Sequence, residues 1–423
     1  MSISGLRYEN EGAHARREAL PPAAAALEAG AGQSSSSYDA LPIPPEQLRE
    51  WREATVARIR ELPRRRVLEI GAGAGHLMER VARGEEVHEY WATDACPAAV
   101  AALTARAGAD ALLTDKVRLR CRGAQDTGGL PAGHFETIVL NSVVQRFTGL
   151  ARLRTVIEGL LPLLAPGGSL FLDGLRSLDL ARCFHTGVAL ARPGAARGDR
   201  EALLRAIDEQ VAQESELLLA PALFGVLARD VPGVRAVDVR VKRGVHHNEL
   251  TRYRYEAVLS TAEPVADLAG APALGWGRDV TDVASVVGRL AGRRPAVLRV
   301  AGVPNRRVHD EYAAMRSLFD PREGIDLAPQ EVLAPDPEVL CGAVERLGYR
   351  ALLTWGREPD LLDLLVVDPG QVPAGALSGV CALRAGEAGD CANTPARARA
   401  AQAEAVLRRA PGEPADRLAA SAR

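Results

Sequence analysis

The sequence predicts an α/β protein built on a doubly wound, mostly parallel sheet of Rossmann-like form, and three observations carry that expectation. An apolar run, Val67-Leu68-Glu69-Ile70, leads straight into Gly71-Ala72-Gly73-Ala74-Gly75, after which a helical pattern starts near His76. Further strand-like runs recur with helix-length segments between them. Two later runs are separated only by Lys242 to Arg252, too short for a crossover helix, so that pair is expected to be antiparallel.

Taken in order, residues 1–37 hold an Ala run and the tract Gln33-Ser34-Ser35-Ser36-Ser37. Such a segment buries too little apolar surface to order itself and is expected to be a flexible tail. The principal domain is expected over 38–262. It opens with a helix after Leu41-Pro42-Ile43-Pro44-Pro45, in which Leu48, Trp51, Val56 and Ile59 recur at helical spacing. That helix is expected to cap a pocket. Strands are expected at 66–70, 89–93, 117–120, 137–140 and 169–172, then a helical insertion over 178–228, then strands at 237–241 and 253–259. The sum is a seven-stranded sheet. A shift to Ala, Pro and Gly marks an expected linker at 263–279. A small C-terminal α/β lobe is expected over 280–370, with helices at 280–290 and 337–347 and strands at 296–300, 351–355 and 362–367. The Ala-, Arg- and Pro-rich remainder, 371–423, is expected to be a disordered or loosely helical tail.

Composition narrows the class. A chain of 423 residues can bury a large core. Its formal net charge of −2 gives no global field toward nucleic acid or membrane. Only Lys116 and Lys242 are lysines; the other basic side chains are Arg, in a sequence also rich in Ala and Gly. Cys96, Cys121, Cys183, Cys341, Cys381 and Cys391 show neither C-x-x-C pairing nor a metal-like cluster with His, so no metal is expected and a reducing compartment is. No basic start joins an apolar run, and no stretch approaches about eighteen uninterrupted apolar residues. A cytoplasmic protein is the expectation.

The glycine turn points to chemistry. Where a parallel strand meets its crossover helix, glycine accepts the turn torsions and lets a ligand lie against the backbone. Asp94 closes the next strand-like run, Glu89-Tyr90-Trp91-Ala92-Thr93, at the spacing of an acid that receives ribose hydroxyls. A dinucleotide fingerprint would read G-x-G-x-x-G. Here the third glycine comes one residue early and Glu69 stands two residues before the first. That pattern suits a cationic, phosphate-free nucleoside such as S-adenosylmethionine better than NAD. The alternative is a Gly-rich turn in an unrelated α/β domain.

From Tyr38 to about Val367 the sequence resembles the methyltransferase domains embedded in adenylation domains of nonribosomal peptide synthetases, within the class I methyltransferase superfamily. The likeness rests on Pro42-Ile43-Pro44 leading to Arg49-Glu50-Trp51, on Val67 to Gly75, on Leu140-Asn141-Ser142-Val143-Val144-Gln145, and on Asn248-Glu249-Leu250-Thr251-Arg252-Tyr253-Arg254-Tyr255. An appendage resembling Arg299-Val300-Ala301-Gly302-Val303-Pro304-Asn305 also accompanies similar domains. Adenylation core motifs are missing, and Ser378 lacks the setting of a carrier serine, so a free-standing version is expected. The resemblance implies S-adenosylmethionine-dependent methylation of an amine on an amino-acid-derived substrate, free or tethered to a carrier protein.

Carried onto these positions, the family pattern sets Gly71, Gly73 and Gly75 beneath the methionine moiety, with Glu69 beside them and Asp94 on the ribose. Gln125 and Asp126 would meet the adenine amine, although Asp126 can equally shape its own turn. Asn141 and Ser142 end the fourth strand, facing the amino-acid end of the cofactor, or else cap a helix. On the acceptor side Glu249 would bind the ammonium and His247 remove a proton, with Asn248 and Gln145 as further catalytic candidates. The alternative for His246-His247-Asn248-Glu249 is a polar turn. Tyr38, His185 and His246 are substrate-side candidates.

Two departures stand out. Arg146 follows the V-V-Q run where relatives tend to have Tyr, and Asp173-Gly174-Leu175-Arg176 stands where they tend to read G-D-V-R. Arg146, Arg176, Arg182 and Arg243 are therefore expected near the pocket mouth, suited to carboxylate, sulfate or phosphate, unless they merely reflect the Arg-rich composition. Two other functions stay open: displacement of a sulfate or phosphate by an amine to close a small ring, and a non-catalytic scaffold for a synthetase.

Overall fold

The computed structural model describes residues 35–400 apart from 193, 195–197, 321, 323–325, 328–334 and 383–386. Most of the expected N-terminal tail and the end of the expected C-terminal one, 401–423, lie outside the described residues. Helix α1 (Pro45–Arg60) begins with proline in its first turn, where a missing N–H costs nothing, and ends with Arg58 and Arg60 against the helix dipole. Strand β1 (Arg66–Ile70) runs through the glycine turn into α2 (His76–Ala82). There follow β2 (Glu89–Asp94), α3 (Pro97–Gly108), α4 (Ala111–Lys116), β3 (Val117–Cys121), β4 (Phe135–Asn141), α5 (Leu150–Leu160) and β5 (Leu164–Ser177).

The insertion after β5 is not purely helical. Helices α6 (Ala181–Ala191) and α7 (Arg200–Ala212) precede a two-residue strand, Leu218–Leu219, that pairs with the end of β5 before α8 (Leu223–Asp230). Strand β6 (Ala236–Val241), the short helix α9 (Glu249–Arg252) and β7 (Arg254–Ser260) complete the main sheet. Its order is β3-β2-β1-β4-β5-β7-β6. All neighbouring strands are parallel except β7, which is antiparallel to both β5 and β6. This is the class I methyltransferase topology that the sequence led one to expect. The central strands are buried almost end to end, because helices cover both faces.

The C-terminal lobe starts earlier than the composition indicates. The stretch expected as a linker holds a two-residue strand, Ala266–Asp267, and β8 (Ala273–Gly275). Next come α10 (Val283–Arg293), β9 (Val297–Pro304), α11 (His309–Phe319), α12 (Pro337–Arg346), β10 (Arg350–Trp355) and β11 (Leu361–Val367), in a sheet of order β8-β9-β11-β10. Part of the expected tail is also fixed: Leu377–Ser378 pairs with Ala266–Asp267, and Ala392 bridges Leu219. One buried side chain accounts for much of this order. Arg299 pairs with Asp363 at 3.0 Å and donates to the carbonyls of Leu268, Gly379 and Val380, so both irregular segments have their backbone oxygens satisfied from β9.

Lobe and main domain share a single apolar core that runs from Leu68 to Val366 and beyond. The lobe also covers the free edge of β6, where Thr354 Oγ1 donates to the carbonyl of Val239 at 2.7 Å. Arg307, 2% exposed, donates to the carbonyls of Lys242, Gly244 and Thr251. It thereby fixes the β6–β7 connection, in which His246 to Glu249 lie.

Candidate active site

A cavity of about 700 Å³ opens at the carboxyl ends of β1, β2 and β4, where ligands settle in open α/β sheets. Its floor is the glycine turn. Gly71, Gly73 and Gly75 all have positive φ, at +77°, +53° and +75°. At Gly71 an added Cβ would come within 2.6 Å of Val143 Cγ2, and at Gly75 within 2.4 Å of Leu103 Cδ2, so these two let the turn after β4 and helix α3 close in. Gly73 differs: no atom lies within 4 Å of where its Cβ would stand, leaving bare backbone toward the cavity.

Asp94, at the end of β2, accepts from the N–H groups of Gly73 and Cys96, both at 2.8 Å. Each oxygen keeps lone-pair capacity for a further donor. Glu69 lines the same cavity, 2% exposed, and accepts from the hydroxyl of Tyr90 at 2.8 Å. Burial, with the negative charge of Asp94 adding to it, pushes its carboxyl up to about 8 against the pull of Tyr90. Asn141, Ser142 and Gln145 come from the end of β4 and the turn after it. Ser142 sits at φ +57°, a conformation non-glycine residues adopt rarely and chiefly where the surroundings enforce it. Gln145 Oε1 is buried without a hydrogen-bond partner among the described residues. Helix α1 roofs the cavity with Leu48, Trp51, Arg52, Thr55 and Val56, the capping role expected of it.

Behind that roof lies a buried ionic network. Lys242 is fully buried and donates to Asp173 Oδ1 at 2.7 Å, Thr55 Oγ1 at 2.8 Å and Glu256 Oε2 at 3.2 Å. Its ammonium also lies 5.5 Å from the ring centroid of Trp51. Arg58 extends the network to Asp238 and Glu256. These contacts set the pitch of α1 over the cavity.

The structure thus brings Glu69, Gly71, Gly73, Asp94, Asn141, Ser142, Gln145 and Arg146 to one cavity. Gly75 belongs to the turn beneath it. Gln125 and Asp126 are exposed beside it: Arg122, Gly123 and Ala124 line the wall instead, and both carboxylate oxygens of Asp126 are taken by Arg122.

On the acceptor side, none of the four residues His246 to Glu249 lines the cavity. Glu249 accepts from the N–H and hydroxyl of Ser37, at 2.7 and 3.1 Å. His246 Nδ1 lies 2.8 Å from Glu50, and Asn248 caps α9 while its amide donates to Gln47. His247 Nε2 stands 2.7 Å from Asp336, in ion-pair contact but misaligned for a hydrogen bond. Burial pulls the imidazole of His247 below its ordinary value, opposed by Asp336. Each of these groups already has a partner on the segment preceding β1 or on the lobe, which turns it away from the cavity.

Tyr38 is likewise engaged, its hydroxyl 3.0 Å from that of Tyr253 and donating to Glu311 at 2.9 Å. Arg176 pairs with Glu214 at 2.6 Å, and His185 Nε2 lies 3.2 Å from the same carboxylate. Arg182 and Arg243 are paired with Asp208 and with Glu338 and Glu345. Of the four arginines expected at the mouth, Arg146 alone lines the cavity.

Sequence reasoning missed Arg52, His76, Arg80, Glu216 and Arg254, all of which line it. A signal existed for the first: Arg52 lies four residues from Leu48 and from Val56, on the face of α1 assigned to the cap.

Sheet order, glycine turn and acid at the end of β2 together define a class I methyltransferase. Residues 68–170 match the family described as a methyltransferase domain, whose methyl donor is S-adenosylmethionine. More narrowly, the chain is related to segments of nonribosomal peptide synthetases. It is 42% identical over 325 residues to CymA of Salinispora arenicola, a protein named as a non-canonical nonribosomal peptide synthetase. It is 41% identical over 242 residues to chondramide synthase cmdD of Chondromyces crocatus. The matched stretches are 76% and 57% of this chain, but only 4% and 6% of those much longer proteins. Among solved structures, the N-methyltransferase NodS of Bradyrhizobium japonicum in complex with S-adenosyl-L-homocysteine aligns with a TM-score of 0.34 at 15% identity, covering 57% of this chain and 99% of that one.

The cavity fits such a cofactor on its own chemistry. It offers bare backbone at Gly73, an acid with free lone pairs at Asp94, and a buried carboxyl at Glu69. Among the described residues, no helix is long and apolar enough to cross a membrane.

Proposed function

We propose that this chain methylates an amine on an amino-acid-derived metabolite, free or tethered to a carrier protein, within nonribosomal-peptide-type biosynthesis. The observation that carries the amine is Gln145, which lines the same cavity as the glycine turn and whose buried amide oxygen has no hydrogen-bond donor among the described residues. A buried acceptor without a partner is costly, and an N–H from the substrate would satisfy it.

In this reading Asp94 receives the ribose hydroxyls, and Gly71 and Gly73 let the methionine portion lie against backbone. Glu69 faces its positive charge, while Gly123 and Ala124 border the base. S-adenosylmethionine supplies, when bound, a methyl group on a sulfonium that is already a good leaving group. What the protein adds is alignment and exclusion of water, for which positioning can contribute about 7–11 kcal/mol. Asn141, Ser142 and Gln145 orient the acceptor at the end of β4. A free α-amine has an ordinary pKa of about 8, so part of it is neutral near pH 7 without a strong base. Glu249, His246 and Asn248 hold the segment around α1 in place, and His247 meets the lobe at Asp336, rather than touch the acceptor. The cysteines, none of them in a disulfide, support action in the reducing cytoplasm.

The test is to incubate the protein with S-adenosylmethionine and a panel of amino acids and carrier-bound aminoacyl thioesters, and to follow product mass. A gain of one methyl on nitrogen with release of S-adenosylhomocysteine is the expected result. Cofactor-independent release of sulfate or phosphate from an activated amine substrate would replace this reading with ring closure.

A further inference from the structure

One wall of the cavity is made of two segments too short to order themselves. The single helical turn Val144–Arg146, after β4, brings Gln145 and Arg146 to the cavity. The stretch leading into the two-residue strand Leu218–Leu219 brings Glu216. Segments with so few internal hydrogen bonds open readily unless other parts of the chain hold them. These two are joined by one bond, from the N–H of Leu217 to the carbonyl of Gln145 at 2.9 Å.

A third segment, 391–399, closes on both. Ala392 bridges Leu219, and the carbonyl of Cys391 accepts from the N–H of Ala220 at 2.9 Å. The strand Leu218–Leu219 is thus paired with the end of β5 along one edge and with this segment along the other. Asn393 satisfies three backbone groups at once. Its Oδ1 accepts from the N–H of Leu218 at 2.8 Å, its Nδ2 donates to the carbonyl of Glu216 at 3.0 Å, and its N–H donates to the carbonyl of Leu218 at 3.3 Å. The N–H of Ala396 then donates to the carbonyl of Glu214 at 2.7 Å.

From the following helical turn, Arg397 reaches the other half of the wall. Its Nη2 donates to the carbonyl of Gln145 at 3.0 Å and to that of Phe147 at 3.4 Å. Cys391 and Ala398, each 3% exposed, anchor the segment on either side of Asn393 and Arg397. None of these hydrogen bonds falls on the glycine turn, on Asp94 or on Gly123 and Ala124.

We propose that Asn393 and Arg397 are positioning residues, which set the acceptor wall of the cavity through the backbone of Gln145 and Glu216 and leave the nucleoside half alone. Without them the carbonyls of Gln145 and Glu216 lose a donor each, and the wall that orients the acceptor moves. The kinetic part of this inference rests on the methyl-transfer reading.

The test compares full-length wild type with Asn393→Ala, Arg397→Ala and Arg397→Lys in three measurements: amide hydrogen exchange followed by mass spectrometry, calorimetric titration of S-adenosylhomocysteine, and kcat/KM for the acceptor that gains a methyl from the amino-acid and aminoacyl thioester panel. In both alanine variants exchange is expected to quicken about tenfold over 145–147 and 216–218 and to stay unchanged over 67–75. Affinity for S-adenosylhomocysteine is expected within about twofold of wild type while kcat/KM falls about tenfold, the loss of roughly one hydrogen bond from a charged donor. Arg397→Lys, still able to donate to Gln145, is expected to recover most of both effects.

Unchanged kcat/KM in both alanine variants overturns the proposal, as does a loss of S-adenosylhomocysteine affinity in step with kcat/KM. Should Asn393→Ala fail to fold, the exposed Arg397 decides through its own pair of variants. If no acceptor in the panel is methylated by the wild type, the methyl-transfer reading falls. Exchange then decides whether 391–399 anchors the wall: quickening confined to the two segments supports it, and unchanged exchange overturns it.

Discussion

At the scale of single residues, the cavity depends on groups held away from their ordinary state. Glu69 is the clearest. Its carboxyl sits up to about 8 where an ordinary glutamate titrates at 4.5, because burial disfavours the charged form. The folded protein therefore binds this proton more tightly than the unfolded chain. The resulting stability is complete below about 4.5 and is lost as pH rises through about 8. In the cofactor-free protein, unfolding free energy measured from pH 5 to 8 is expected to fall more steeply than in Glu69→Gln, by at most about 1.4 kcal/mol per pH unit. Equal slopes in the two proteins would show that Glu69 titrates normally. Glu69 and Asp94 were legible in the sequence, because strand–glycine–helix spacing fixes where such residues stand. The pairing of Glu249 with Ser37 and of His247 with Asp336 was not. Those partners lie 212 residues away in one case, and on the lobe in the other.

At the scale of elements, close approach and buried charge set the geometry. Gly75, at φ +75°, lies where an added Cβ would meet Leu103 at 2.4 Å, so α3 packs on the turn only because a side chain is missing there. Gly75→Ala is expected to cost about 1–3 kcal/mol in thermal or urea unfolding. A substitution without effect would mean that α3 yields freely. The ionic network under α1 makes a second prediction. Lys242→Met leaves Asp173 and Glu256 buried without their ammonium, and unfolding in urea should show a loss of about 3–5 kcal/mol. A loss under about 1 kcal/mol would show those carboxyls to be neutral already. The strands and crossover helices were readable from periodicity. The two-residue strands at Ala266–Asp267 and Leu377–Ser378 were not, being too short for any period and ordered by Arg299 from a distant strand.

At the scale of the molecule, the lobe and main domain behave as one body around a shared core, with Arg307 reaching from the lobe to fix the β6–β7 connection. Composition indicated a linker and a tail because Ala, Pro and Gly dominate the first stretch and Ala, Arg and Pro the second. Composition does not record that buried arginines can tie such segments down. The main sheet, by contrast, follows from the order of strands, glycine turn and short last connection, all local features of the chain. The central claim is that this whole assembly exists to hold S-adenosylmethionine in the cavity between the glycine turn and α1. Calorimetric titration of S-adenosylmethionine into the wild type and Asp94→Ala tests it most directly. Saturable binding at micromolar concentration, weakened about tenfold to a hundredfold in the variant, is the expected result. No binding to the wild type at millimolar cofactor would contradict it.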